Sequence, residues 1–170
     1  IPTKSQLPTR ETEIRKHWQN IHLYDEFRKS RKGEENLVLH DGPPYANGSI
    51  HIGHLLNKVL KDLVVRSQML LGKRCQYIPG WDCHGLPIEH KVLSELSEEK
   101  KKKLASLTPD QERLAIRNEC KKYADKFIKL QTEQMKRLLT VADYDHPYLT
   151  YQPEYESKVL DVFASMVDEN

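Results

Sequence analysis

The sequence contains few residues of the types that mark zinc-binding or disulfide-stabilised proteins. Its 170 residues include only three cysteines, Cys75, Cys83 and Cys120, and no two of them form a CxxC pair. This spacing argues against a zinc knuckle and gives no basis for a disulfide framework. We therefore expect reduced thiols and a compartment such as the cytoplasm or an organelle matrix.

Long apolar runs and a large charge excess are also missing. No stretch approaches the roughly 18 apolar residues that a membrane-spanning helix requires, and the first residues contain no apolar signal-peptide core. The 27 basic and 25 acidic side chains give a formal net charge of +2. Composition alone therefore indicates neither a membrane nor a nucleic-acid partner. The length suits one ordinary domain or slightly more.

Strand and helix signals alternate in the first half of the chain. Residues 37–40 are typical of a short buried strand, and apolar side chains at helical spacing over 50–71 predict one face of a long helix. Residues 75–78 predict a second strand. This order predicts a parallel βαβ unit with a right-handed crossover, which binds ligands at the carboxyl ends of its strands. The unusual segments around Pro43 and Trp81 both follow a strand end.

Further helices are predicted on both sides of this unit. The segment 9–29 begins at a threonine that can cap a helix, and 108–139 begins with a Thr-Pro-Asp-Gln capping box. The apolar stripe of the second segment predicts core packing. Residues 98–103 include four consecutive lysines and predict a solvated surface, with contact to RNA phosphate as the alternative. A last helix is predicted near Pro153.

Two histidines stand at the start of the predicted long helix. A helix amino terminus suits phosphate, and the imidazoles of His51 and His54 can donate hydrogen bonds to charge that develops on a phosphoryl group. Gly53 leaves room for a flat group such as adenine to approach the backbone. An HxGH pattern alone also fits histidines that cap a helix or lie in a core. The preceding strand and loop, together with Lys58 and Lys61, favour a nucleotide site.

A second cluster of unusual residues covers 79–89, with the sequence PGWDCHGLPIE. Its glycines and prolines fix the path of the backbone. Asp82 supplies a carboxylate near a strand end that can bind an ammonium group, although a helix cap or turn is the alternative. Cys83 and His84 are adjacent in sequence and lack a visible third partner, so we expect neither a nucleophile nor a metal ligand there.

These two regions resemble one family. Residues 39–54, LHDGPPYANGSIHIGH, together with 57–58 and 61–62, resemble the HIGH region of isoleucyl-tRNA synthetases, a class I aminoacyl-tRNA synthetase family. Residues 79–89 are similar to the second core motif of that family, and 143–148 resemble its continuation. The resemblance is specific in the first two blocks and loose over 91–142.

Related families act as controls for this resemblance. The methionine enzymes share a PYANG-like stretch but lack the second block. The valine enzymes have a PNVTG-like stretch before an HMGH motif. The leucine enzymes have a PYPSG-like stretch, and their second block resembles GWDAFGLPAE. This sequence departs from all three where they differ, which favours the isoleucine enzymes.

The resemblance implies an α/β fold, the first half of a Rossmann-like class I synthetase catalytic domain with an amino-terminal helix and additional long helices. It divides the chain into a helical extension at 1–35, the first half of the ATP- and amino-acid-binding core at 36–97, and a helical continuation at 98–170 that leads towards an editing insertion. Both ends look cut. We therefore expect an amino-terminal fragment that is inactive, or nearly so, by itself.

The resemblance also implies a chemistry. The enzyme activates L-isoleucine with ATP to isoleucyl-adenylate and transfers the acyl group to tRNA(Ile), with ATP and Mg²⁺ entering as substrate and no metal site in this part of the chain. His51 and His54 would be catalytic. The residues expected to bind ATP are Pro44, Tyr45, Ala46, Asn47, Gly48, Gly53, Asn57 and Lys58. The residues expected to border isoleucine are Gly42, Pro43, Gly80, Trp81 and Asp82.

Individual roles follow from the same resemblance. Asp82 would hold the ammonium group of isoleucine, and Gly80 would have to stay small for the amino acid to fit. Trp81 would be either a pocket wall or a core residue. Contacts with tRNA(Ile) would come mainly from other parts of the polypeptide, which we expect to be a monomer without membrane contact.

Three alternatives remain open. The first is a methionine- or valine-type class I synthetase. The second is a small nucleotidyltransferase, which also uses an HxGH helix start but would lack the block at 81–89. The third is a helical adaptor or RNA-binding module built on 110–139, although the lysines of that segment alternate with acids and form no dedicated basic face.

Overall fold

The computed structural model describes residues 6–169. The first elements are helix α1 (Leu7–Asn20), helix α2 (Leu23–Ser30), strand β1 (Asn36–His40), helix α3 (Ile52–Leu70) and strand β2 (Arg74–Ile78). The next are strand β3 (Gly80–Trp81), helix α4 (Leu86–Glu95), helix α5 (Glu98–Ala105), helix α6 (Pro109–Arg137), strand β4 (Tyr148–Leu149) and helix α7 (Pro153–Asp168). No helix in 6–169 combines the length and the apolar character that crossing a membrane would require.

The chain forms two compact units. Among the described residues, the first consists of 6–42, Ile50–Pro79 and Gln131–Pro147, and the second consists of Pro43–Ser49, Gly80–Leu130 and 148–169. The division into segments 1–35, 36–97 and 98–170 stays a prediction. Residues 1–5 and Asn170, which belong to the outer two of those segments, lie outside the described residues.

The first unit contains the parallel βαβ arrangement that the sequence predicts. Strands β1 and β2 pair in parallel, from Asn36 opposite Arg74 to His40 opposite Ile78, and α3 connects them. A core forms beside this pair from Val65, Cys75, Tyr77 and Ala142, with Leu37, Leu39, Met69 and Tyr144 packed against it. The predicted order of strand, helix and strand is therefore confirmed, but β1 is not the buried strand that the sequence predicts, since its residues alternate between exposed and half-buried and Val38 is 63% exposed.

The helix predicted over 50–71 is confirmed as α3, but the apolar face that the sequence marks along it is not buried in the described residues. Its apolar stripe is exposed, with Ile52 at 77% and Leu63 at 58% of full exposure, whereas Lys58 and Val65 are buried. Lys58 is buried because its ammonium is bound to a buried carboxylate, that of Asp41. The helix ends close to the end of the predicted span 50–71, and the next residue, Gly72, has φ +93°, which glycine adopts without steric cost.

The prediction of one helix over 9–29 is also wrong. Helix α1 begins before Thr9, because Pro8 stands in its first turn and its fixed φ suits that position. His22 then adopts the left-handed conformation with φ 46°, which a right-handed helix cannot continue through. The chain therefore forms two helices here.

The other helical predictions are mostly confirmed. The hydroxyl of Thr108 accepts from the Gln111 N–H at 3.4 Å, and the Gln111 side chain accepts from the Thr108 N–H at 3.2 Å, which is the predicted capping box of α6. Helix α5 has no buried residue, as predicted for the lysine-rich surface. Along α6, Met135 is fully buried but Leu114 is 61% exposed, so its apolar stripe lies only partly in the core.

Candidate functional site

In the first unit, the two predicted catalytic histidines cap helix α3. Nδ1 of His51 accepts a hydrogen bond from the Gly53 N–H at 3.1 Å, and Nδ1 of His54 accepts from the His51 N–H at 3.2 Å. This is a capping box in which imidazoles replace the usual hydroxyl and carboxylate. The ring centroids lie 4.0 Å apart. The capping alternative from the sequence is therefore confirmed, and the catalytic role stays a proposal.

The cap determines which ring nitrogen carries the proton. A backbone N–H can donate only to an unprotonated nitrogen, so the proton of each neutral ring lies on Nε2. Burial lowers the pKa of His54, and the neighbouring His51 and Lys58 lower it further, which favours the neutral form. Each imidazole thus offers one Nε2–H donor while its Nδ1 holds the helix.

Gly53 is required by the cap itself. A Cβ added to Gly53 would lie 2.9 Å from Cε1 and 3.1 Å from Nδ1 of His51. Because the His51 ring folds over this residue, any side chain there would displace the ring from the helix end. The expected approach of adenine to Gly53 stays a proposal beside this structural reason.

A buried carboxylate lies where strand β1 ends. Asp41 is fully buried and accepts hydrogen bonds from Lys58 Nζ at 2.6 Å and from Lys61 Nζ at 2.5 Å. The Tyr77 hydroxyl adds a third at 3.1 Å. Burial by itself would raise the pKa of Asp41, but the two ammonium groups lower it overall. This Asp41 cluster joins β1, α3 and β2 and carries one excess positive charge.

The predicted contact of Lys58 with ATP needs correction. The Lys58 side chain is only 3% exposed, and its ammonium is bound to Asp41 and to the Tyr77 hydroxyl, which lies 3.2 Å away. This geometry gives Lys58 a supporting role. Sequence reasoning missed Asp41, although an acid directly after a predicted strand and two lysines one helical turn apart were a usable signal.

The other predicted residues of the first unit lie at accessible positions. Gly42 and Asn57 are exposed. A Cβ on Gly42 would meet only Lys61 Nζ, at 4.0 Å, which is ordinary van der Waals contact. Both residues are therefore available to a ligand.

In the second unit, the predicted ATP loop pairs with Asp82. The Ala46 N–H donates to the Asp82 carbonyl at 2.8 Å, and the Asp82 N–H donates to the Pro44 carbonyl at 2.9 Å. The Tyr45 hydroxyl donates to the His84 carbonyl at 2.6 Å. The structure therefore brings residues predicted to bind ATP together with the aspartate predicted to bind the amino acid.

Some predicted contact residues of this unit are buried. Ala46 and Trp81 have no exposed surface, so Trp81 is a core residue, and the Ala46 side chain does not face a ligand. A Cβ on Gly80 would lie 2.0 Å from the Tyr148 ring. Gly80 stays small because Tyr148 packs on it through the parallel pairing of β3 with β4.

The remaining loop residues have different surroundings. Pro43 is half-buried and Asn47 is exposed. Gly48 has φ +103°, a conformation that glycine adopts readily. The side chain of Asn47 accepts a hydrogen bond from Tyr123 on α6, a contact that sequence reasoning missed.

Cys83 lacks the surroundings of a nucleophile, as the sequence indicates. Its thiol is buried and lies 3.3 Å from the Trp81 carbonyl, and burial raises its pKa, which disfavours the reactive thiolate. Within residues 6–169, no group of three or more His, Cys, Asp or Glu side chains is arranged to hold a metal ion.

Comparisons with known proteins show the family to which this chain is similar. Residues 13–170 match the family described as tRNA synthetases class I (I, L, M and V). The protein named isoleucine–tRNA ligase from Sulfurihydrogenibium sp. (strain YO3AOP1) is 48% identical to this chain over 93% of its length. The protein of the same name from Zymomonas mobilis is 51% identical over 92% of this chain. The Thermotoga petrophila protein of that name is 46% identical over 99%. The chain spans 16–18% of the length of these relatives.

A solved structure has a similar fold. The LeuRS of Agrobacterium radiobacter K84, solved in a ternary complex with tRNA and LeuAMS, superposes with a TM-score of 0.69 at 19% sequence identity. The similar region covers 95% of this chain and 18% of that one. The predicted α/β fold, a Rossmann-like part of a class I synthetase, is thereby confirmed.

Replacement of Asp41 by asparagine is expected to destabilise the protein strongly. Removing the charge leaves two ammonium groups without their partner, which costs about 3–5 kcal/mol. Since the folded pKa of Asp41 is lowered, its contribution is present above the unfolded pKa of about 3.9 and is lost as pH falls through the folded value. Urea unfolding at neutral and acidic pH measures this.

The matched control is Asp161→Asn, which removes an aspartate 60% exposed beside Lys158. Its effect should stay within about 0.5 kcal/mol. Equal destabilisation by the two variants, or a difference that does not shrink on acidification, would contradict the role given to the Asp41 cluster.

The ring nitrogens of His51 and His54 are expected to show the Nε2–H tautomer. Because the folded pKa of His54 is lowered, the cap contributes stability above the unfolded pKa of about 6.5 and loses it as pH falls through the folded value. Long-range ¹H–¹⁵N spectra recorded during a pH titration report both properties. A proton on Nδ1 of either ring near neutral pH would exclude this cap.

Proposed function

Because this chain belongs to the family of class I tRNA synthetases (I, L, M and V), we propose that it forms the first part of the catalytic core of an isoleucine–tRNA ligase. The observation that carries this proposal is the 46–51% identity to proteins of that name over nearly the whole chain. Since the chain spans 16–18% of those relatives, the activity belongs to a polypeptide of their length.

The proposed reaction has two steps. A carboxylate oxygen of isoleucine attacks the α-phosphorus of ATP, the bond to the β-phosphate oxygen breaks, and isoleucyl-adenylate and pyrophosphate form. The terminal ribose hydroxyl of tRNA(Ile) then takes the acyl group and releases AMP. The first step needs alignment of the reactants and neutralisation of phosphoryl charge but no protein nucleophile. The buried, raised-pKa thiol of Cys83 agrees with this chemistry.

The cap of α3 supplies donors suited to the first step. We assign the Nε2–H groups of His51 and His54 to the phosphoryl oxygens, where negative charge grows in the transition state. Because each Nδ1 is bound to the helix backbone, the rings are held in place before the substrate arrives. The partial positive charge at the amino terminus of α3 acts in the same direction.

The amino acid is proposed to lie beside Gly42, Pro43 and Asp82. One carboxylate oxygen of Asp82 lies 3.4 Å from the His84 N–H, and its backbone is held by the 44–46 loop. Those bonds orient the carboxylate for the ammonium group of isoleucine. Gly80 and Trp81 support this position from the core, with Tyr148 packed against Gly80.

In the second unit, ATP is proposed to contact the loop 44–48; the ATP contacts of Gly53 and Asn57 in the first unit stay proposals that rest on the HIGH-region resemblance. Mg²⁺ would enter with ATP as part of the substrate. Contacts with tRNA(Ile) would come mainly from the rest of the polypeptide, acting as a monomer in the cytoplasm or an organelle matrix. This assignment leaves Lys58 as a support for Asp41.

Pyrophosphate exchange by the full-length polypeptide tests the proposed specificity. With isoleucine, leucine, methionine and valine supplied at equal concentration, we expect the fastest exchange with isoleucine. A faster rate with methionine, valine or leucine would assign the chain to another branch of the same family. Absence of amino-acid-dependent exchange would contradict the activity itself.

The variant His54→Ala is expected to slow isoleucine-dependent exchange by about 10²-fold or more, as for the loss of one donor to a developing oxyanion. The variant also loses the hydrogen bond from the His51 N–H, which costs about 0.5–2 kcal/mol, so urea unfolding is measured beside exchange to show that the fold persists. The control is His90→Ala, an exposed histidine of α4. If both variants exchange at the unaltered rate, the role assigned to His54 is wrong.

A further inference from the structure

A tyrosine of the long helix α6 contacts the loop proposed to bind ATP. The hydroxyl of Tyr123 donates a hydrogen bond to Oδ1 of Asn47 at 2.7 Å, across 76 positions of sequence. Both residues belong to the second unit. Tyr123 lies in the stretch 91–142, where the motif resemblance is loose, so comparison of motifs alone does not reveal it.

Both partners of this contact are held in place. The Asn47 N–H donates to the Tyr45 carbonyl at 2.8 Å, which forms a tight turn that continues into Gly48. The ring of Tyr123 packs on Phe127 one turn along α6, with centroids 4.7 Å apart. The adjacent Ala124 is fully buried, which fixes this part of the helix. The contact therefore joins an ordered turn to an ordered helix.

The hydrogen bond sets the direction of the Asn47 amide. A primary amide has one acceptor oxygen and one NH₂ donor, and its orientation depends on its partners. With Oδ1 turned to the tyrosine hydroxyl, Nδ2 points away from α6. Asn47 is exposed, and within residues 6–169 its Nδ2 has no hydrogen-bond partner. The two N–H groups are thus presented to a ligand.

We propose that Tyr123 is a positioning residue for ATP, because it turns the Asn47 amide so that Nδ2 donates to an acceptor atom of the nucleotide. This inference rests on the proposed function, in which the loop 44–48 binds ATP. Tyr123 itself does not touch the nucleotide. Helix α6 thereby supports the nucleotide site in addition to packing in the core.

The test uses isoleucine-dependent pyrophosphate exchange by the full-length polypeptide with Tyr123→Phe. Losing one neutral hydrogen bond is expected to raise the KM for ATP about 3- to 10-fold, with the KM for isoleucine unchanged. The matched control is Tyr151→Phe. Its hydroxyl donates to the carboxylate of Asp125 on the same helix at 2.5 Å, so this variant also removes a tyrosine hydroxyl bonded to α6, and a stronger, charge-assisted bond, without touching Asn47. The KM for ATP should not change.

A second variant, Asn47→Ala, separates the two partners. It should raise the KM for ATP at least as much as Tyr123→Phe, and combining the two substitutions should add nothing further, because Tyr123 acts only through Asn47. Additive effects in the double variant would overturn the proposal. So would an equal rise of both KM values in Tyr123→Phe, which indicates a general structural defect.

The failure of this inference differs from the failure of the proposed function. If Tyr123→Phe leaves the KM for ATP unchanged while Asn47→Ala raises it, the loop binds ATP but Tyr123 does not position it. If the unaltered polypeptide shows no amino-acid-dependent exchange, the proposed function fails and the inference fails with it.

Discussion

The first unit depends on one carboxylate that is buried between two ammonium groups. Asp41 directly follows strand β1 and is bound by two lysines of α3 and by a tyrosine of β2, so all three elements of the βαβ arrangement meet at a single side chain. A buried charge of this kind is tolerated only when its partners neutralise it. The relative position of strand end and helix is therefore specified by charge as well as by apolar packing.

This arrangement explains what the sequence could and could not predict. Turn and breaker residues act locally, so β1, β2, the end of α3 at Gly72 and the capping box at Thr108 were all predictable. The packed side of α3 was not, because periodicity ranks Lys58 as a surface residue. Only the three-dimensional position of Asp41 explains why that lysine is inside. The break at His22 also gave no clear signal, because most histidines have negative φ even though histidine is enriched among the non-glycine residues with positive φ.

The candidate site, like the fold, was predictable only in part. Motif resemblance located the residue types, and the structure adds the reasons for several of them. Gly53 is small because the His51 ring covers it, and Trp81 belongs to the core. Contacts between distant positions, such as Tyr123 with Asn47, involve residues that no short motif contains. Sequence patterns therefore predict the chemistry of the loops better than the side chains that hold those loops.

The packing of Tyr148 on Gly80 has a consequence for how such chains diverge. The two positions lie on paired strands β3 and β4 and leave no space for one additional carbon atom. A larger residue at position 80 can be accommodated only if the aromatic ring at position 148 moves away or is replaced by a smaller side chain. Each of the two residues thus limits which substitutions the other tolerates, so a larger residue at position 80 requires a compensating change at position 148.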